Sequence, residues 1–108
     1  MYKISFFVPE SHLESVKSAM FVVGAGRIGR YDCCAWQVKG LGQFRALEGS
    51  QPFLGEQNQL ERVEEYRVEM VCDEANIHKA IEALFIAHPY ETPAYDVVKT
   101  WTFSHGLA

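Results

Sequence analysis

Two segments with helical spacing, each bracketed by runs of strand-forming residues, constrain this 108-residue chain more than any other feature. In the first, Ser11 and Glu14 stand at capping-box spacing, Leu13, Val16, Met20 and Val23 recur at helical intervals, and Gly24 and Gly26 supply the stop, which predicts a helix over 12–23. In the second, Asp73 can cap a helix lined by Ile77, Ile81, Leu84 and Phe85. It must end near Ala87, because the residue before Pro89 is barred from the α region. Strand patterns fill the intervals: 2–8 up to Pro9, a long 31–47 run, 62–72 and 94–101. Gly40 and Gly42 predict a bulge or bend inside one long strand. In the 62–72 run Tyr66, Val68, Met70 and Cys72 face one way and Glu65, Arg67 and Glu69 the other, the signature of a half-buried strand. Residues 48–61 read as a polar loop with Phe53 and Leu54 tucked under it, and the tail 104–108 as frayed or as an oligomer contact.

The resulting order, strand, helix, strand, strand, helix, strand, predicts an α+β, ferredoxin-like βαββαβ sandwich in a single domain over 1–108. Right-handed crossovers put both helices on one face of a four-stranded antiparallel sheet. The other face, rich in Tyr, Trp and Phe, would be an exposed apolar patch unless subunits pack there, so a homo-oligomer is expected.

Composition removes several classes of function. With a net charge of -4 and only ten Lys and Arg, the chain lacks a basic stripe to neutralise phosphates, so nucleic acid is not an expected partner. No run approaches the ~18 apolar residues of a membrane span, and the opening residues are too short an apolar run for a secretory signal, which predicts a cytoplasmic protein with no membrane partner. Cys33, Cys34 and Cys72 form neither an even framework nor a CxxC pair. Cys33 and Cys34 are expected on a strand with opposed side chains, and all three as small buried hydrophobes. Gly24, Gly26 and Gly29 are followed by a strand rather than a helix and by no Lys-Ser/Thr, so they are a helix stop and turn, not a phosphate loop. No nucleophile motif is present.

The stretch AHPYETPAYD, residues 87–96, concentrates the chemistry. In one reading Pro89 and Pro93 set a rigid helix-to-strand turn, Tyr90 packs and hydrogen-bonds, and Glu91 takes a backbone N–H. In the other, His88 and Glu91 hold a divalent metal ion or a small anion; two ligands per subunit are too few for a closed tetrahedral site, so neighbours or open positions would complete it. His12, His78 and His105 show no ligand spacing and are expected to be solvated.

At His88-Pro89-Tyr90-Glu91 the chain resembles the CutA family, whose trimeric ferredoxin-like subunits carry HPYE between the second helix and the last strand. It resembles more closely the PII/CutA-like domain inserted in the YqfO-type dimetal-binding proteins, the NGG1p-interacting-factor-3-like family. That resemblance rests on GAGRIGRYDCCAWQVKGLGQFRALEGSQPFLGE, residues 24–56, together with AHPYETPAYD, and covers residues 2 to about 101. It implies a trimer, with His88, Tyr90 and Glu91 near a subunit junction and Cys34 on the long strand. The dimetal site of those relatives lies in a flanking domain that has no counterpart here, so their suspected hydrolase chemistry does not carry over. The expected function is a small oligomeric PII/CutA-like binding or sensing module, with a divalent metal as its candidate cofactor and no catalysis of its own. The alternative is an accessory subunit docking on a larger metal-dependent enzyme.

Overall fold

The computed structural model describes residues 1–103; the predicted tail contact over 104–108, with His105, lies outside the described residues. Strand β1 (Tyr2–Val8) leads through a short 3-10 turn (Glu10–His12) into α1 (Leu13–Val22). Then come β2 (Trp36–Arg45), β3 (Leu60–Cys72), α2 (Ile77–Ala87) and β4 (Tyr95–Lys99). The sheet order is β2-β3-β1-β4 with every pairing antiparallel, which is the ferredoxin-like arrangement.

The alternation in β1 and β3 builds the core. Ile4, Phe6 and Val8 point to the same side as Val68, Met70 and Cys72, where they meet Leu13, Val16 and Met20 of α1 and Ile77, Ala80 and Leu84 of α2. Truncating a fully buried member such as Leu84 to alanine would cost about 2–5 kcal/mol, transfer and cavity terms together. Phe85, expected in this core, is instead exposed and packs edge-on against Tyr95 with ring centroids 5.2 Å apart. Val23 and Ile81 are only partly buried against the cluster.

Several local expectations are corrected. The Ser11–Glu14 capping box is not made: the chain enters a 3-10 turn directly after Pro9, so Ser11 is already inside it and its hydroxyl bonds the His12 ring at 2.8 Å. Asp73 does not cap α2 itself; its carboxylate accepts from the Asn76 N–H at 3.0 Å, one turn ahead of the helix. The long strand begins at Trp36 rather than 31. Residues 24–35 form a loop in which Ile28 and Tyr31 bridge a tight turn and Cys33 takes the left-handed conformation, φ 55°. Cys33 and Cys34 are therefore not strand neighbours. Of the three thiols only Cys72 is buried, and burial pushes its pKa up.

The β2–β3 register runs without interruption from Trp36↔Glu69 to Arg45↔Leu60, so Gly40 and Gly42 lie in one strand without a bulge. Strand β1 reaches only Tyr66 of β3. Residues 40–45 and 60–65 thus continue as a two-stranded arm joined by the 46–59 loop.

Candidate functional site

The site forms where that loop returns over the open sheet face, at the end of β1. Helix α2 stops because Pro89 forces His88 out of the helix, to φ -74° and ψ 136°. The His88 ring turns inward and is 5% exposed. Its Nε2 lies 2.6 Å from the Phe7 carbonyl, and its Nδ1 accepts the Tyr90 backbone N–H at 3.1 Å. A nitrogen that accepts carries no proton, so the ring is the neutral tautomer with Nε2–H donating to Phe7. Burial lowers its pKa; the Phe7 carbonyl opposes that shift and His12 adds to it.

Thus anchored, Tyr90 stands beside His88 with centroids 4.8 Å apart and directs its hydroxyl at Glu65 of β3, 3.5 Å away. Glu65 is half-buried on the open face, opposite Gly40. Its carboxylate lies in the space that a Cβ on Gly42 would occupy. A side chain at 42 would therefore displace it. Burial raises the pKa of Glu65, the Tyr90 hydroxyl partly offsetting this, and burial with the Glu65 charge pushes the Tyr90 phenol up to about 12.

The loop closes the site from above. Ala46 and Gln57 bridge, the Asn58 N–H donates to the Ala46 carbonyl at 2.6 Å, and the Gln51 N–H donates to the Glu91 carboxylate at 3.0 Å. Phe53 thereby comes to rest between His12, at 5.6 Å, and Tyr90, at 6.1 Å. Phe44 approaches Tyr90 from β2 at 6.5 Å. Phe44, Phe53 and Tyr90, together with Phe7, Leu54 and Ala94, line a cleft of about 410 Å³, in the range of small-molecule sites.

The structure therefore brings His88 and Glu91 into one turn but gives them separate partners, Phe7 and Tyr90 for the first and Gln51 for the second. These are the contacts of the turn reading, and an ion bound through His88 would have to replace one of them. Among the described residues no three His, Cys, Asp or Glu side chains gather as metal ligands. His12 is half-buried against Phe53 rather than solvated, and His78 is exposed. Glu65, Phe44 and Gly42 were not legible as site residues. The available signal was Gly42 itself, a strand glycine whose missing side chain admits a neighbour.

No family model matches the chain. A GTP cyclohydrolase 1 type 2 homolog of Halalkalibacterium halodurans is 43% identical over 97 residues, 90% of this chain and 26% of that protein. The crystal structure of a Bacillus cereus protein related to NIF3 superposes with a TM-score of 0.77 at 43% identity, covering 89% of this chain and 24% of that one. The chain is homologous to one segment of these proteins. It spans about a quarter of the length of the curated relatives it matches. CutA from Xylella fastidiosa superposes with a TM-score of 0.66 at 17% identity, over 95% of this chain and 86% of that one, a likeness of fold. The chain thus has a CutA-like fold, and no helix among the described residues is long and apolar enough to cross a membrane.

Proposed function

We propose that this module binds a small ligand in the cleft beneath the 46–59 loop and has no catalysis of its own. The cleft carries this reading: apolar walls with a few converging polar groups are the ordinary form of a binding site. The divalent-ion form of the proposal keeps His88 and Glu91 as ligands, with the ion taking the place of Phe7 or Tyr90 at the imidazole. Two free sheet edges, β2 and β4, support assembly into a homo-oligomer, and exposed Cys33 with its neighbour Cys34 fits a reducing cytoplasm.

A screen of small molecules by amide NMR tests the proposal. Shifts concentrated at Phe44, Phe53 and Tyr90 are expected; a screen whose hits all fall elsewhere would refute it. The second reading, an accessory subunit of a larger enzyme, is favoured by the fact that the matched segment is only 26% of a longer relative. Stoichiometric co-purification with such an enzyme would support it.

A further inference from the structure

We propose that the cleft takes an organic cation, an ammonium head on an apolar body, seated among the rings of Phe44, Phe53 and Tyr90 with Glu65 as its counter-charge. This rests on the reading of the cleft as the binding site and goes further by naming the ligand's charge. Three observations carry it.

The first is the arrangement of the rings. Phe44 and Phe53 both approach Tyr90, at 6.5 and 6.1 Å, inclined at 50° and 46° rather than stacked. All three rings line the same cleft, and an aromatic π face attracts a cation.

The second is an anion without a counter-ion. Among the described residues the ion pairs use Lys3, Lys17, Lys39 and Arg67, and none reaches Glu65. Among these residues its side chain has one hydrogen-bond partner, the Tyr90 hydroxyl at the long distance of 3.5 Å. A half-buried carboxylate in an apolar wall is stabilised by a cation that the protein does not supply.

The third is that, among the described residues, neither nearby basic group forms an ion pair with Glu65. Arg67, two residues along β3, is held by Glu69 at 2.8 Å. Arg45 lines the cleft, but it stands five residues along β2 from Gly40, the partner of Glu65. That is about 16 Å of strand, beyond the span of the two side chains' contact geometry. The lining holds two acidic side chains, Glu65 and Glu91, against one basic, Arg45, a balance that favours a cation over an anion.

The test titrates the labelled full chain by amide NMR with three probes of similar body: benzyltrimethylammonium, benzyl alcohol and benzoate. The cation should shift Phe44, Phe53 and Tyr90 and bind about tenfold or more tightly than the alcohol, with benzoate weakest. Glu65→Gln should remove most of the cation's advantage and leave the alcohol unchanged. Phe53→Leu, on the exposed loop and away from the sheet, should weaken the cation with the fold intact. Equal binding of cation and alcohol, indifferent to Glu65→Gln, would overturn the cation inference while leaving the cleft as a site. Absence of cleft shifts with all three probes would overturn both.

Discussion

The Tyr90 backbone N–H donates to His88 Nδ1 at 3.1 Å, and this contact sets the charge of a buried imidazole. Because the opposite nitrogen faces the Phe7 carbonyl at 2.6 Å, the neutral ring satisfies both neighbours. A protonated ring would point an N–H at an N–H. The turn that presents Tyr90 and Glu91 to the cleft therefore depends on an uncharged histidine.

Acid should weaken the fold through this residue. The folded pKa of His88 lies below the ordinary value of 6.5, so the unfolded chain takes up the proton first. Its contribution is present above about 6.5 and is lost as pH falls toward the folded pKa. Denaturant midpoints should drop on acidification through that window. His88→Asn, whose amide oxygen can still accept the Tyr90 N–H, should flatten the drop; an unchanged pH profile would show that His88 is not its source.

The turn and metal readings of His88 and Glu91 separate by mutation. Glu91→Ala removes the acceptor of the Gln51 N–H and should cost on the order of 1 kcal/mol or less, since the group is exposed. His88→Ala should cost more, about 1–3 kcal/mol, by leaving the Phe7 carbonyl and the Tyr90 N–H unpaired. Both losses are expected without added metal, and calorimetric titrations with zinc should match wild type. A micromolar zinc site abolished by both substitutions would establish the metal reading instead.

Periodicity foretold the fold because the core is built from it: Tyr66, Val68, Met70 and Cys72 turn inward as their alternation requires, and α2 ends at Ala87 as Pro89 requires. The errors arose where tertiary contacts override local pattern. Residues 31–35 look like strand, but the Gly26 N–H donates to Val71 O at 2.7 Å and the Cys34 N–H to Gly26 O at 2.8 Å. These bonds dock the segment as a loop. Glu65 reads as a solvated residue on a polar strand face, and only the return of the 46–59 loop over that face makes it half-buried. His88 and Glu91 were legible as polar residues in a proline-framed turn, whereas their partners, 81 and 40 residues away, were not.

Gly42 should control the acidity of Tyr90. The phenol's raised pKa favours its neutral form, so its contribution to stability is present below about 10 and is lost as pH rises toward about 12. Part of the shift comes from Glu65, which occupies the space beside Gly42. Gly42→Ala should push the carboxylate aside and bring the Tyr90 pKa down toward 10, though not fully, because burial is the largest cause. Tyrosine ring-carbon NMR across alkaline pH reads this directly. A Tyr90 pKa unaltered by both Gly42→Ala and Glu65→Gln would disprove the coupling.

Assembly should proceed through the sheet edges. Strand β4 is exposed along its whole length, with Val98 54% exposed, and β2 at the opposite edge leaves Trp36 58% exposed. Among the described residues neither edge is covered by a further strand and both carry apolar side chains, a combination that invites a second chain. A contact from the β4 edge of one copy to the β2 edge of the next is head-to-tail and can close into a ring. A trimer is the ring we propose, so light scattering at micromolar concentration should report three times the 12.3 kDa chain mass. Val98→Lys places a charge on the edge without entering the core, so it should shift the population to single chains while leaving the circular dichroism spectrum unchanged. A wild-type chain that scatters as a monomer would remove the oligomer from the proposal. A trimer indifferent to Val98→Lys would move its interface away from β4.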